Sequence, residues 1–283
     1  MNEERGSDSA GLVISNGTDF SFHKDIKTSK KFLKDPTTVK MLTGYKNDDF
    51  VNVIGHTRKA TRGAVTKENA HPFRIGRFVM AHNGVIYNFD DLQEKYKTGY
   101  EVDSQIIAYL LNLHTPQEVF SELLSGWFTV PYFELEKQTE LTIVKHNSPL
   151  ALSVLPDGSG VYYSSLKSHL KQALTTAGVR SGVGETKGSK LYHFKWENGK
   201  LEREKVKFSN KLDLISSYTS YFSPTTKDLG SNHDSQLLLP EICDPEETII
   251  KEIKCHDKHI SIEIPPRGSG WHKVINGVLQ PVN

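Results

Sequence analysis

The chain has 283 residues, of which 36% are hydrophobic and 24% charged, a composition typical of a folded globular protein. Its 35 Lys and Arg residues nearly balance its 34 Asp and Glu residues, so the net charge of +1 argues against a general nucleic-acid or membrane binder. Two cysteines, a polar N-terminus and the lack of an apolar run near the ~18 residues of a membrane span argue against a disulfide-rich secreted domain and predict a cytoplasmic protein.

The first predicted elements are short strands that lead into polar loops. Apolar runs predict strands over residues 11–14, 51–54 and 77–81. The second and third strands run into polar, glycine-containing loops at 56–63 and 82–84. Such loops commonly carry the functional side chains of a domain.

A helix is predicted over residues 103–113, because apolar residues recur there at three- and four-residue spacing. These residues are Ile106, Ile107, Leu110 and Leu111. Asp103 or Ser104 is predicted as the N-cap of this helix, since both side chains can accept a hydrogen bond from the first turn. A second helix is predicted over residues 117–124.

The following segment predicts a series of antiparallel strands. Apolar stretches separated by turns occur at residues 128–133, 141–145, 150–155 and 161–163, and residues 168–173 predict a short helix. Strands at 190–196 and 200–208 flank Asn198-Gly199, a strong hairpin signal. This order of elements predicts an α+β sandwich of layers rather than a doubly wound α/β fold.

The composition changes after about residue 210, where Ser, Thr, Asp and Pro become frequent. This composition predicts a linker over residues 210–239. Alternating segments at 248–254 and 259–264 then predict a pair of strands in a small β-rich appendage, residues 240–283. The main domain is expected to cover residues 1–209.

Five segments, in order, resemble the glutaminase domain of class II, N-terminal-nucleophile amidotransferases, most closely that of glucosamine-6-phosphate synthase. They are Arg5-Gly6-Ser7-Asp8-Ser9-Ala10-Gly11, His56-Thr57-Arg58-Lys59-Ala60-Thr61-Arg62-Gly63, Asn69-Ala70-His71-Pro72-Phe73, His82-Asn83-Gly84 and Asp103. The resemblance covers about residues 3–208. It implies an αββα sandwich with mainly antiparallel sheets and a substrate that is glutamine or a related amino acid.

The resemblance also implies how the two ends of glutamine are held. Arg58 would grip the α-carboxylate, for which a guanidinium offers a planar pair of donors. Thr61 would add a contact at the same end, and Asp103 would accept the α-ammonium group. No cofactor and no metal is implied.

The same family pattern assigns the oxyanion hole to the Asn83 side chain and the Gly84 backbone N–H. His71 and His82 are expected to support the loops. A zinc site formed by His56, His71 and His82 is the rival interpretation, but these residues lack the His-x-x-x-His spacing of a helical zinc motif. Cys243 and Cys255 with His256 and His259 are more simply structural than metal ligands.

Two positions depart from the family pattern. Lys59 and Arg62 stand where the family usually has an aromatic residue and a histidine. The added cations suggest a ligand more acidic than glutamine.

The largest departure concerns the nucleophile. The family uses a cysteine at the mature N-terminus, on a first strand followed by a helix, whereas here the Arg-Gly-x-Asp-Ser motif begins at Arg5 and no cysteine is near it. The chain as given is therefore expected to lack that strand and to be inactive. Without an inner strand, backbone groups should be left unpaired unless another segment, such as the one after Asn210, fills the gap.

Two functions follow from this departure. In the first, a complete form carries the cysteine, hydrolyses glutamine to glutamate and ammonia through a thioester, and passes ammonia to a partner protein. In the second, the domain is a catalytically inactive module that binds an amino acid or a protein.

Overall fold

The computed structural model describes residues 6–207 and Asn210, together with the backbone of five strands between residues 237 and 281. The chain divides into two compact units, Met1–Ser223 and Pro224–Asn283. The first unit contains every residue predicted for the functional site. Among the described residues, no helix is long and apolar enough to cross a membrane.

The first unit mixes strands with short helices. Its strands are β1 (Ser9–Ser15), β2 (Phe20–Asp25), β3 (Asn52–Arg58), β4 (Phe73–Ile75), β5 (Phe78–Met80), β6 (Asn83–Ile86), β7 (Gly126–Glu134), β8 (Glu140–His146), β9 (Ala151–Val154), β10 (Val161–Ser164), β11 (Gly184–Glu185), β12 (Lys190–Glu197) and β13 (Lys200–Lys207). Its helices are α1 (Ser29–Phe32), α2 (Pro36–Gly44), α3 (Phe89–Tyr96), α4 (Asp103–Leu113), α5 (Pro116–Glu118) and α6 (Lys167–Thr176), and a π-helical turn (Val119–Leu123) follows α5.

These elements form four layers in the order helix, sheet, sheet, helix. The large sheet has the strand order β13-β12-β8-β7-β5-β4, with β6 also paired to β7, and the two small sheets are β2-β1-β3 and β10-β9-β11. The paired strands are antiparallel. The predicted α+β class with mainly antiparallel sheets is confirmed.

Side-chain alternation along the large sheet explains the layering. Phe78 and Met80 point into the cluster beneath α3 and α4, whereas Val79 points into the cluster shared with the small sheets. Along β8, Val144 faces the helices and Ile143 faces the small sheets. Because successive side chains of a strand point to opposite faces, a strand covered on both sides is apolar throughout. The second helix layer consists of α1 and α2 over β1, with α6 packed against β9.

The edges of the two small sheets face each other across a cleft of about 520 Å³. Within the described part of the chain, β3 pairs only with β1 and β10 pairs only with β9. The Tyr163 hydroxyl donates to the Val53 carbonyl across this cleft, at 2.9 Å. Directly paired strands lie about 4.8 Å apart, so a gap bridged by a tyrosine side chain exceeds one strand spacing. Among the strands that the structure describes, two edges therefore have no backbone partner on this side.

Most predicted elements of the first unit are present, and two predicted loops are wrong in part. The predicted helix over 103–113 matches α4, and the predicted hairpin matches β12 and β13. The loop predicted at 56–63 is wrong up to Arg58, because β3 pairs with β1 through that residue. The loop predicted at 82–84 is wrong for Asn83 and Gly84, which belong to β6.

The predicted cap of α4 is also wrong. The N-cap is Val102, whose backbone N–H donates to Gln105 Oε1 at 3.3 Å. The helix predicted over 117–124 is instead α5 followed by the π-helical turn. The Asn210 side chain donates to the carbonyls of Phe120 and Leu124 at the two ends of this turn, at 3.0 and 2.5 Å.

The second unit is described only as strands. They are β14 (Leu237–Leu238), β15 (Ile249–Cys255), β16 (Lys258–Ile264), β17 (His272–Ile275) and β18 (Val278–Pro281). The predicted pairing of the segments at 248–254 and 259–264 is confirmed by β15 and β16. Apart from Asn210 and β14, the predicted linker over 210–239 lies outside the described residues, as do Cys243 and His256.

Candidate functional site

Arg58 lies at the end of β3, opposite Ser9 of β1, and is 4% exposed. Its guanidinium donates to the carbonyl oxygen of Ala64 at 3.1 Å and to that of Arg62. Asp8 accepts from the backbone N–H of Ala60 at 2.8 Å, just beyond Arg58. These bonds fold the loop at residues 59–64 around the guanidinium.

A second network holds the far side of this loop. The Asn69 side chain donates to the Ala64 carbonyl at 3.1 Å and to Glu101 Oε2 at 2.6 Å. The backbone N–H of Ala64 also donates to Glu101, at 3.4 Å. Asn69 thus joins the loop to the segment that leads into α4, where Asp103 lies.

Carboxylates surround the buried guanidinium. Burial lowers the pKa of Arg58, while the negative charges of Asp8, Asp103 and Glu101 oppose that effect. One strong cation with three nearby carboxylates leaves the pocket able to accept a ligand that carries both charges. A free α-amino acid is such a ligand.

Asp103 is the first residue of α4 and is fixed by β6. Its Oδ2 accepts from the Ile86 backbone N–H at 2.9 Å, and its Oδ1 accepts from the Ser104 hydroxyl at 3.4 Å. Ser104 Oγ lies 2.9 Å from Nδ1 of the buried His82. This chain of polar groups joins Asp103 to the residue just before β6.

Asn83 and Gly84 open β6, opposite Thr129 and Phe128 of β7. The Asn83 side-chain amide donates to Ser148 Oγ at 3.3 Å, and the Ser148 hydroxyl donates back to the Asn83 carbonyl at 3.1 Å. A Cβ on Gly84 would lie 2.0 Å from the Trp127 carbonyl oxygen and 2.7 Å from His82 Nε2. Only glycine fits at this position, so β6 runs against His82 and β7 without an intervening side chain.

Three histidines lie near these residues, of which His71 and His82 are buried and His56 is half-buried. The rings of His56 and His71 lie 4.2 Å apart between centroids, and His71 also packs against Phe73. Burial lowers the pKa of His56 to about 3 and lowers those of His71 and His82 as well. All three imidazoles are therefore neutral at pH 7.

The sequence around these residues is similar to that of a known protein family. The family model of class II glutamine amidotransferases matches residues 12–120, which include Arg58, Asn83, Gly84 and Asp103. The chain contains a class II glutamine amidotransferase domain.

The relatives with curated names are longer enzymes. Glutamine–fructose-6-phosphate aminotransferase (isomerizing) of Streptococcus pneumoniae (strain ATCC BAA-255 / R6) is 25% identical over 272 residues, which cover 89% of this chain and 40% of that protein. Proteins with the same name from Streptococcus pyogenes serotype M6 (28% over 269 residues; 89% and 40%) and Staphylococcus aureus strain Mu50 (31% over 166 residues; 54% and 26%) are also similar. The chain spans about two fifths of the length of the two streptococcal relatives. The family resemblance drawn from the motifs is confirmed.

The amidotransferase domain brings most of the predicted site residues to one region. Asp103 and the pair Asn83 and Gly84 meet at β6, and Asp103 acts electrostatically on Arg58. Thr61 lies exposed on the loop that folds around Arg58. His71 and His82 are buried.

Arg62 is not available as an extra cation for the ligand. Its guanidinium pairs with both oxygens of Asp90 and lies 4.5 Å from the Phe89 ring centroid. Of the two departures from the family pattern, only Lys59 is left to make the site more cationic. The surrounding carboxylates do not favour a ligand more acidic than glutamine.

Several site residues were missed from the sequence. Glu101, Ser104 and Ser148 hold Asn69, Asp103 and Asn83 respectively, and Asp8 pins the Arg58 loop. Asp8 lies inside a recognised motif, so its position was a usable signal. Ser148 contacts Asn83 across 65 residues of sequence, and no local pattern predicts that contact.

His56, His71 and His82, the ligands of the rival zinc interpretation, do not form a group with ligand atoms within 4.8 Å of one another. Among the residues that the structure describes, the group with ligand atoms within 4.8 Å of one another is His23, Asp25 and Asp35. There the Lys27 ammonium lies 2.7 Å from Asp25 and 2.6 Å from Asp35. A lysine already occupies the position between the two carboxylates.

Proposed function

We propose that this domain binds glutamine with its α-carboxylate at Arg58, its α-ammonium group at Asp103 and its side-chain carbonyl at Asn83 and Gly84. Thr61 adds a contact at the carboxylate end. A complete glutaminase site forms when an N-terminal cysteine is supplied beside Asn83 and Gly84. The chain as given binds glutamine without hydrolysing it.

One observation carries this proposal. The Asp103 carboxylate accepts from the Ile86 N–H, and Ile86 ends the strand that begins with Asn83. One four-residue strand therefore fixes both the acceptor for an ammonium group and the donors for an oxyanion. Glutamine presents an ammonium group at one end and an amide carbonyl at the other.

The chemistry follows from this arrangement. A cysteine thiolate attacks the amide carbon, and the negative charge that develops on the oxygen is stabilised by the Asn83 and Gly84 N–H donors. The cysteine's own α-amine takes up the thiol proton and gives it to the leaving ammonia. Water then hydrolyses the thioester to glutamate. The ammonia passes to an accepting partner protein.

The cleft between β3 and β10 supports this view of the complete site. It runs along β3, whose last residue is Arg58, and its walls include His56 and Thr57. A strand added there would gain backbone partners on both sides. Its end would lie next to the glutamine site.

The second candidate is a binding module without catalysis. It is favoured by one feature of the sequence: none of residues 6–207 is a cysteine, and the two cysteines are Cys243 and Cys255. Both candidates share the same amino-acid pocket, and they differ in whether a complete form with an N-terminal cysteine releases ammonia.

Calorimetric titration of the full chain with glutamine tests the pocket. Arg58→Lys removes the bidentate grip on the carboxylate and should weaken binding by about 1.5–3 kcal/mol, or roughly 10- to 100-fold in Kd. Arg74→Lys is the matched control, since Arg74 packs over Phe20 at a distance from the site. Equal effects of the two substitutions would contradict the role of Arg58.

An ammonia-release assay tests the nucleophile. The chain as given should release no ammonia from glutamine above the buffer rate. If it does, the double variant Cys243→Ser with Cys255→Ser identifies the source. Turnover that persists in this variant would refute a cysteine nucleophile altogether.

A further inference from the structure

A row of positive charge crosses the large sheet on the face that is turned toward the small sheets. Lys190 of β12 lies directly opposite Lys145 of β8 and directly opposite Lys207 of β13. Like charges in directly opposed positions destabilise a sheet. The opposed Lys145 and Lys190 therefore reduce the stability of the fold that carries them.

The charge of Lys145 adds to the unfavourable energy of this row, because Lys145 is only 5% exposed. Its ammonium group donates to the Gly188 carbonyl at 3.1 Å. Burial and the adjacent charge of Lys190 both lower the pKa of Lys145. A largely buried ammonium group beside a second cation needs an anion to balance it.

The row opens into a groove of about 680 Å³ between the β12–β13 hairpin and the second small sheet. Its lining includes four cations, Lys187, Lys190, Arg203 and Lys205, and one carboxylate, Glu185. Within residues 6–207, neither these four cations nor Lys145 forms an ion pair with a carboxylate. Leu152, Val154 and Tyr192 form the apolar part of the lining.

The groove is separate from the glutamine site but lies in the same row of the sheet. The cross-strand partners run from Asn83 to Thr129, then to Lys145 and Lys190. Three strand spacings separate Asn83 from Lys190, a distance of about 14 Å. A ligand in the groove therefore does not touch a glutamine bound at Arg58 and Asp103.

We propose that this groove is a binding site for a small phosphate-bearing molecule. A dianionic phosphate balances several monovalent cations at once, and lysine ammonium groups bind phosphate as point charges. The apolar lining holds the body of the molecule. The chain's net charge of +1 argues against a long polyanion as the ligand.

Thermal unfolding and calorimetry of the full chain test this site, with inorganic phosphate as the probe and chloride at equal ionic strength as the reference. Phosphate should raise Tm and chloride should not. Lys190→Gln should weaken phosphate binding at least tenfold. In buffer without phosphate, the same variant should have a higher Tm than the wild type, because it removes the like-charge contact with Lys145.

Lys195→Gln is the matched control, since Lys195 lies on the same strand, faces the other side of the sheet and pairs with Glu197 at 2.7 Å. It should leave phosphate binding unchanged. Lys205→Gln removes an exposed cation of the groove and tests the same site if Lys190→Gln does not fold. Glucose 6-phosphate should bind more tightly than inorganic phosphate, and glucose should not bind.

Three results would overturn the proposal. The first is a phosphate response equal to that of chloride. The second is a phosphate affinity that Lys190→Gln and Lys205→Gln leave unchanged. The third is an equal loss in Lys195→Gln, which would show a general charge effect and not a site. None of these results bears on glutamine binding, which depends on Arg58 and Asp103.

Discussion

Neutral histidines beneath the glutamine site are the clearest electrostatic feature at the scale of single residues. The Arg58 charge helps to lower the pKa of His56 and of His71, so a proton on either ring would add a second positive charge beside that guanidinium. Burial lowers the pKa of each imidazole, and Asp103 opposes this effect only at His82. The fold therefore holds these rings in the form that is uncharged at pH 7.

This arrangement predicts that the protein loses stability in mild acid. The folded-state pKa of His56, about 3, lies below the unfolded value of about 6.5, so between these values only the unfolded chain binds the proton. The contribution of the uncharged His56 to the free energy of unfolding is fully present above about pH 6.5 and is lost as the pH falls. Between pH 7 and pH 5 the loss should be about 2 kcal/mol for His56.

Urea unfolding at pH 7, 6 and 5 measures this effect, and His56→Gln should reduce the slope. Asp25 does not interfere in this range, because its pKa is lowered to about 2 by Lys27 and Lys67. A free energy of unfolding that does not change between pH 7 and pH 5 would show that these imidazoles take up protons as readily in the folded protein as in the unfolded chain.

At the scale of elements, the facing edges of β3 and β10 are joined by one side chain. Tyr163 donates to the Val53 carbonyl, and burial raises the pKa of its hydroxyl. Tyr163→Phe leaves that carbonyl without this donor and should lower the free energy of unfolding by about 1 kcal/mol. Hydrogen exchange should also become faster along β3.

The neighbouring residue provides the control for this prediction. Tyr162 lies on the same strand and is 42% exposed, and Tyr162→Phe should change stability by less than about 0.5 kcal/mol. Equal losses in the two variants would show that the hydrogen bond across the cleft contributes nothing specific. The comparison isolates one hydroxyl group, since the aromatic ring is retained in both.

The elements also show which features can be predicted from sequence. The β12–β13 hairpin follows from Asn198-Gly199, where Asn198 and Gly199 both have positive φ, and α4 follows from the spacing of its buried residues. β2 and α2 were not predicted, because their residues are only partly buried and show no strong apolar period. Polar residues such as His56 and Asn83 belong to strands because neighbouring strands pair with them.

The candidate site is likewise predictable from sequence only in part. Arg58, Asn83 and Asp103 could be named from motifs, but their closeness depends on strand register over long separations. Asn83 meets Ser148, and the lysines at 145, 190 and 207 meet in one row, only because β6, β7, β8, β12 and β13 pair in a particular alignment. A shift of one residue would turn each side chain to the other face of the sheet.

At the scale of the whole molecule, the described glutamine site and its supporting contacts lie in the unit Met1–Ser223. The four hydrophobic clusters also consist of residues between Ala10 and Leu201. Asn210 is the last described residue of this unit, and it is 2% exposed. The unit therefore has its own core and needs the chain at least as far as Asn210.

A variant that ends at Ser223 should accordingly keep the glutamine affinity of the full chain. Asn210→Ala in the same variant should lower the free energy of unfolding by about 1–3 kcal/mol, because the carbonyls of Phe120 and Leu124 lose their buried donor. Calorimetry with glutamine and urea unfolding measure the two effects. If the shortened chain loses glutamine binding while remaining folded, residues 224–283 contribute to the site directly, and the domain responsible for glutamine recognition is larger than the family match over residues 12–120.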